Sequence, residues 1–158
     1  KEGEKRITGL GFSTTAGDTI FASRGGLVTE VVDNAASTSE NTSFHATENY
    51  LEVFHKDGTF ARYKLFQNGG IFVSPGEEVI PGQPLGIIGG ENYKQGSHLR
   101  FSIYCPDRPD YSYVPDFCLS QEEVGKPEPR VMYKSWHPVA IVVREMSKKG
   151  KKKFLSKE

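Results

Sequence analysis

The feature that most constrains the fold is the close spacing of glycine and proline between short apolar segments. The 158 residues include 17 glycines and 9 prolines. These residues interrupt regular structure, and hardly any segment between them shows the period of about 3.6 residues that marks an amphipathic helix. The chain is therefore predicted to be mainly β, with short antiparallel strands that wrap a small barrel or half-barrel.

Individual strands follow from the same pattern. Two strands are predicted around the turn Gly25-Gly26, at Thr19 to Ala22 and Leu27 to Val32. The dipeptide Asp57-Gly58 tolerates positive φ angles, so it predicts a hairpin with a type I′ turn. Other segments are assigned by composition: hairpin strands at 50–55 and 59–65, short strands within 73–88, a strand at 99–104, a polar surface excursion at 34–48 and a loop at 89–96.

Composition and charge divide the chain into a core and an extension. The content of 36% apolar and 11% aromatic residues predicts one packed domain. We expect the core at residues 1–105, a proline-rich extension at 106–147 with a strand at Val139 to Arg144, and a basic tail at 148–158. The tail has six lysines and one glutamate, so its net charge is +5 and residues 1–147 carry −5. Such lysines either stay solvated or bind an anionic surface.

The termini and the cysteines bear on the compartment. No apolar run approaches the roughly 20 residues that span a bilayer, and the first residues lack an apolar signal region and an initiator methionine. We therefore expect a processed or trimmed N-terminus. Cys105 and Cys118 are predicted either to form a loop disulfide in an exported protein or to remain two buried thiols.

The segment Ser97-His98-Leu99-Arg100-Phe101 carries the most chemical information. Alternate side chains of a strand share a face, so a His-x-His pair there can direct both imidazoles at one metal ion. In this chain the second member is Arg100, which stays protonated, has five donors and offers no lone pair to a metal. This substitution argues against ordinary zinc chemistry.

Taken in order, several segments resemble peptidase family M23, the lysostaphin-like or LytM-type zinc endopeptidases that cut peptide cross-links in bacterial cell walls. The resemblance spans roughly Arg6 to Tyr104. It implies an antiparallel β-sheet with a groove. The segments that carry it are Gly17 to Ala22, Leu27 to Val32, Asn49 to His55, Asp57 to Thr59, Val73 to Gly86 and Gly96 to Phe101.

The same resemblance identifies the positions of the family's catalytic residues. The His-x-x-x-Asp motif, which supplies two zinc ligands, corresponds to the segment from Ile7 to Gly11, and the third ligand corresponds to Arg100. Lys64 lies where the histidine of a Tyr-x-His-Leu segment would assist catalysis, and His98 alone keeps its catalytic position. Because zinc needs about three protein ligands, we predict that no zinc is bound and that the domain is not an enzyme.

The leading hypothesis is therefore a non-catalytic domain, exported to the periplasm or cell envelope, whose groove binds a cell-wall peptide or a protein partner. No nucleic acid is expected as a partner. The groove-binding candidates are His98, Arg100, Lys64 and Tyr63. Arg100 is expected to bind a carboxylate in a bidentate way with help from Lys64, or to pair with an acid such as Glu52.

Two alternatives stay open at this stage. An active metallopeptidase could use a displaced site built from His98, His45 or His137 with distant acids. The turns at Gly76 and Gly82 also resemble the half-barrels of lipoyl and biotinyl carrier domains, with Lys56 beside a hairpin turn. His55 corresponds to a histidine often found in the family outside the zinc shell, which predicts a structural role for it.

Overall fold

The computed structural model describes residues 9–35, 48–89, 96–108 and 112–157 of the chain. This part forms twelve strands and two short helices. The strands are β1 (Leu10–Ser13), β2 (Thr19–Phe21), β3 (Gly26–Val32), β4 (Tyr50–Phe54), β5 (Phe60–Lys64), β6 (Phe66–Ile71), β7 (Glu78–Val79), β8 (Pro84–Ile88), β9 (His98–Tyr104), β10 (Ser112–Tyr113), β11 (Phe117–Cys118) and β12 (Val124–Gly125). The helices are α1 (Val139–Val142) and α2 (Lys148–Leu155).

A large antiparallel sheet dominates the molecule. Its strand order is β1-β9-β5-β4-β3-β7, and β10 pairs with the end of β9. A smaller sheet has the order β2-β8-β6, and β11 pairs with β12. The predicted mainly β, antiparallel fold is confirmed, although the described strands do not close into a barrel. The two strands predicted around Gly25-Gly26 belong to different sheets, because β2 pairs with β8 and β3 with β4.

The core lies between the two sheets. Side chains from one face of the large sheet, such as Leu51 and Val53, form one buried cluster with Leu85 and Ile88 of the smaller sheet. These four side chains are at most 1% exposed. The alternation of strand side chains places the charged residues of β4, β5 and β9 on the opposite face, together with several aromatic rings, and we call this opposite face the polar face.

The predicted hairpin between β4 and β5 is confirmed, but its turn differs from the expected one. The Gly58 amide donates to the His55 carbonyl at 3.0 Å, and the His55 amide donates to the Thr59 carbonyl at 2.8 Å. Within this turn only Gly58 has a positive φ, of 85°. A type I′ turn would need two such residues, so the connection is a turn followed by a bulge at the glycine.

The extension differs from its prediction in two places. The strand expected at Val139 to Arg144 is instead helix α1, in which the Val143 amide donates to the Val139 carbonyl at 3.0 Å. A short apolar run fits a buried helix as well as a strand, and here it buries Val142 and Val143 without a partner strand. The tail expected at 148–158 contains helix α2, which Ser147 caps by accepting from the Gly150 amide at 3.1 Å.

The extension is packed against the sheets. The Phe117 ring centroid lies 5.8 Å from that of Phe12 and 6.0 Å from that of Phe101, on the core side of the large sheet. Near the C-terminus, Glu145 accepts two hydrogen bonds from the Arg24 Nε, at 3.1 and 3.0 Å. Neither described helix is long and apolar enough to cross a membrane. Cys105 and Cys118, which the sequence left open, are free thiols.

Candidate functional site

Three of the positions singled out by the sequence lie side by side on the polar face. Gly11 of β1 pairs with Arg100 of β9, and Lys64 of β5 pairs with Arg100 from the other side. Directly paired residues of neighbouring strands share a face. The antiparallel register therefore brings together Gly11, Arg100 and Lys64, which are far apart in sequence. Ile7 lies outside the described residues.

A buried carboxylate joins the two cations of this row. Glu48 Oε1 accepts a hydrogen bond from Arg100 NH1 at 2.8 Å, and Glu48 Oε2 lies 3.4 Å from Lys64 Nζ. The Glu48 side chain is 2% exposed, that of Arg100 is 11% exposed and that of Lys64 is 18% exposed. We call Glu48, Lys64 and Arg100 the ion-pair cluster. With two cations and one anion, its formal charge is +1.

The backbone around Glu48 is fixed by its neighbour Asn49. The Asn49 carbonyl accepts from the amides of Leu65 and Phe66, at 2.9 and 3.3 Å, where the chain crosses from β5 to β6. The Asn49 side chain accepts from the Ala35 amide at 2.8 Å and donates to the Phe66 carbonyl at 3.3 Å. Leu65 follows Lys64 and has φ 81°, a left-handed conformation that costs a non-glycine residue energy. The crossing thus places the Glu48 carboxylate beside the cations.

His98 extends the cluster along β9. Its Nδ1 donates to the Gly96 carbonyl at 2.8 Å, and its Nε2 accepts from Arg100 Nε at 3.1 Å. A carbonyl can only accept and a guanidinium can only donate, so both contacts are satisfied by the neutral ring with its proton on Nδ1. His98 is thus hydrogen-bonded to Arg100 of the ion-pair cluster, and Lys64 belongs to this cluster through its ion pair with Glu48.

Tyr63, the fourth groove-binding candidate, lies elsewhere. Its side chain points to the core face of β5, where it is 1% exposed and packs 5.0 Å from the Phe101 ring. Its hydroxyl accepts from the Ser23 amide at 3.0 Å and lies 2.7 Å from Ser23 Oγ. Alternation along the strand puts Tyr63 and Lys64 on opposite faces, so Tyr63 is not available to a ligand on the polar face.

A second polar network occupies the next row of the same face. Arg62 donates to Glu52 Oε2 from both Nε and NH2, at 3.0 and 2.7 Å, and the Tyr104 hydroxyl also donates to this oxygen. Burial, reinforced by the Glu52 carboxylate, raises the pKa of the Tyr104 hydroxyl, which therefore stays a neutral donor. The internal acid that pairs with Arg100 is thus Glu48 and not Glu52, the example given above, because Arg62 takes Glu52.

His55 is buried beneath the hairpin turn. It is 0% exposed, and its Nδ1 lies 3.0 Å from Thr59 Oγ1, while Nε2 has no hydrogen-bond partner among the described residues. Burial, together with the nearby Arg24 guanidinium, lowers its pKa from 6.5 to about 4. These contacts belong to the hairpin and to the Arg24 region, in keeping with the structural role that the resemblance implied.

Acidification is expected to weaken the fold through His55. Between about pH 6.5 and pH 4 the unfolded chain takes up a proton that the folded imidazole does not, so the free energy of unfolding falls as the pH falls through this window. The stabilising contribution of the neutral His55 ring is fully present above about pH 6.5. Urea denaturation across the window measures it, and the variant His55→Asn, whose amide can still donate to Thr59, should show a shallower dependence. Equal slopes for the two proteins would contradict this assignment.

The remaining histidines and Lys56 are occupied in other ways. His137 packs against Gly82, and its ring centroid lies 6.2 Å from that of Phe21. His98 contacts Arg100 instead, so the two described histidines that were considered for a displaced metal site have different neighbours. His45 lies outside the described residues. Lys56, the residue of interest for a carrier domain, donates from Nζ to the Glu145 carbonyl at 2.9 Å and holds the C-terminal segment.

The donor set at the family's ligand positions does not fit zinc. Gly11 has no side chain, Arg100 has no lone pair, and the nitrogens of neighbouring His98 are engaged with a carbonyl and a guanidinium. Within the described ranges no group of three His, Cys, Asp or Glu side chains is arranged to hold a metal ion. The chemistry that these residues offer is hydrogen bonding and positive charge.

Glu48 is the site residue that sequence reasoning missed. It lies at the end of the polar excursion, next to Asn49, and nothing in the local pattern distinguishes it from a solvated acid. The signal that could have identified it is indirect. Two cations predicted on a half-buried sheet face require a buried anion, and the acids near the start of β4 are the nearest ones available.

Comparison with known protein families identifies the family of this chain. The model of peptidase family M23 matches residues 5–110, which is more than half of the chain. The chain therefore belongs to peptidase family M23. Among curated proteins, none matches the chain significantly.

Two peptidases are among the solved structures that are similar to this chain. The antimicrobial peptidase lysostaphin from Staphylococcus simulans is 22% identical with a TM-score of 0.50, and the alignment covers 63% of this chain and 37% of that one. A zinc containing peptidase from Vibrio cholerae is 24% identical with a TM-score of 0.49, over 68% of this chain and 30% of that one. The chain thus spans well under half the length of these two proteins.

Proposed function

We propose that this chain is a non-catalytic M23 domain that binds cell-wall peptide on its polar face. The observation that carries the proposal is the ion-pair cluster itself. Where the family resemblance expects metal ligands and a catalytic histidine, Gly11, Arg100 and Lys64 form a row, and a buried Glu48 satisfies the cations. Without electron-pair donors in this row, the domain has neither a Lewis acid nor an activated water there.

The proposed binding rests on the shape and charge of the same face. A Cβ added to Gly11, which is paired with Arg100, would meet no described atom within 4 Å, so there is room for a ligand atom at the Gly11 end of the row. The cluster has a formal charge of +1, and His98 borders it. A peptide with a free carboxylate fits this combination, because the Lys64 ammonium can donate to its terminal oxygens.

Arg100 has a different part in this proposal than the sequence hypothesis gave it. Its NH1 is bonded to Glu48 and its Nε to His98, so its carboxylate partner is internal. Arg100 therefore holds His98 and Glu48 in position. Lys64, whose side chain is 18% exposed against 11% for Arg100, is the better candidate for contacting a ligand.

Export to the cell envelope belongs to the same proposal. It is supported by the membership of peptidase family M23, whose resemblance implies action on bacterial cell walls. The peptide ligand would be available there. A protein partner that presents a carboxylate to the same row would use the same contacts.

One experiment combines metal analysis, wall digestion and peptide binding. Protein purified without added zinc is expected to contain no stoichiometric metal and to leave purified cell walls undigested. It should bind a synthetic wall peptide with a free carboxyl terminus more tightly than the amidated peptide. Stoichiometric zinc with zinc-dependent digestion would overturn the proposal and favour the displaced metal site.

The variant Lys64→Met tests which residue contacts the ligand. It leaves the Glu48–Arg100 bond in place and removes the +1 charge of the cluster, so affinity for the free-carboxylate peptide should fall by roughly tenfold. Lys126→Met is the matched control, because Lys126 is an exposed lysine that pairs with Asp116 in the extension. Equal affinities for the wild type and Lys64→Met would exclude this contact.

A further inference from the structure

Helix α2 concentrates positive charge on one short element. Five of its eight residues are lysines, and Lys157 follows two residues after its end. The helix contains no acidic residue in its first turn and none of its residues is buried. The members of this group, which we call the lysine helix, are Lys148, Lys149, Lys151, Lys152, Lys153 and Lys157.

Within the described ranges these lysines have no counter-charge. None of them forms an ion pair with another described residue, whereas lysines elsewhere do, such as Lys126 with Asp116 at 3.1 Å. Lysines three and four residues apart, such as Lys148 and Lys152, repel each other along the helix. Gly150 also lowers the helix propensity, so this element has little stability of its own. An external anionic surface would remove the repulsion.

We propose that the lysine helix docks the domain onto an anionic lipid bilayer. The lysines are carried by a chain whose other residues, 1–147, have a net charge of −5, so the attraction is confined to this element. Leu155 is 45% exposed next to the lysines, and an apolar side chain gains from a bilayer interface but not from a dissolved polyanion. The element contains no arginine, the residue that recognises individual phosphates in a bidentate way.

The orientation of the helix suits such a surface. At about 100° per residue, Gly150 and Phe154 lie on one side, and both are half-buried. The lysines and Leu155 occupy the remaining sides and are exposed. The helix would lie along the headgroups with its lysines against them, and it does not need to span the membrane. This inference does not depend on the proposed function, because the lysine helix shares no described contact with the polar face.

Sedimentation of the full chain with lipid vesicles tests the inference. The protein should sediment with vesicles that contain about 30% anionic lipid and not with neutral vesicles, and raising the salt from about 0.05 M to about 0.5 M should release it. The triple variant K151Q/K152Q/K153Q should bind on the order of a hundredfold more weakly. Because no residue of α2 is buried, its fold should be intact by circular dichroism.

Matched variants distinguish this surface from general charge. The variant K126Q/R130Q/K134Q removes the same number of positive charges from the extension and should bind vesicles as the wild type does. Leu155→Ser should weaken binding to vesicles but not to polyphosphate or duplex DNA. Equal loss with both triple variants, or binding to the dissolved polyanions without binding to vesicles, would overturn the inference.

Discussion

Glu48→Gln is expected to destabilise the domain by about 3 kcal/mol, because it leaves two cations in a mostly buried site without their anion. The Glu48 side chain is 2% exposed, and its partners Arg100 and Lys64 are 11% and 18% exposed. Water therefore screens this cluster poorly. Urea denaturation near neutral pH measures the change in the free energy of unfolding.

Two comparisons make this result specific. Glu145→Gln breaks a more exposed pair with Arg24, in which both side chains are 34% exposed, so it should cost only about 1 kcal/mol. The double variant E48Q/R100M removes the charges of Glu48 and Arg100, which form the shorter of the two ion pairs in the cluster. Its cost should be clearly smaller than the sum of the two single costs. A loss for Glu48→Gln no larger than that for Glu145→Gln would show that the cluster does not hold the site together.

Tyr63→Ala should cost about 4 kcal/mol, the second large effect. The sequence placed Tyr63 among the groove-binding residues, but the ring is 1% exposed and packs against Phe101 in the core. Removing it opens a cavity between the sheets. The free energy of unfolding is again the measurement, and it should fall with little change in affinity for the wall peptide in the protein that remains folded.

Tyr63→Phe separates the ring from its hydroxyl. The ring still fills the core, and the lost hydrogen bond with Ser23 should cost about 1 kcal/mol. Peptide affinity should be unchanged. A large loss of affinity in Tyr63→Phe, with normal stability, would return Tyr63 to the binding site and contradict the separation of the two faces.

Much of the site was accessible from sequence because the register of strands follows from turns and alternation. The Asp57-Gly58 hairpin fixes the pairing of β4 with β5, and the alternation of β9 puts His98 and Arg100 on one face. The family resemblance then placed Lys64 and Gly11 next to them. The confirmed mainly β fold and M23 membership rest on the same pattern of short strands and glycine turns.

Other features needed contacts between distant segments. The strand predicted at Val139 to Arg144 became a helix because no sheet edge pairs with it and packing buries only Val142 and Val143. The turn at Gly58 has one residue with a positive φ instead of two. Its backbone hydrogen bonds, from the Gly58 amide to the His55 carbonyl and from the His55 amide to the Thr59 carbonyl, are those of a turn that is followed by a bulge. Neither outcome can be derived from local preference alone.

The sequence by itself determined what the row on the polar face lacks, because glycine has no side chain and a protonated guanidinium or ammonium group has no lone pair to donate to a metal. It also determined the pleated alternation that separates a core face from a polar face. Only the tertiary structure decided which acid balances the cations. The Leu65 and Phe66 amides donate to the Asn49 carbonyl and so fix the backbone next to Glu48. This contact between distant segments, rather than any property of Glu48 itself, buries the Glu48 carboxylate between Arg100 and Lys64.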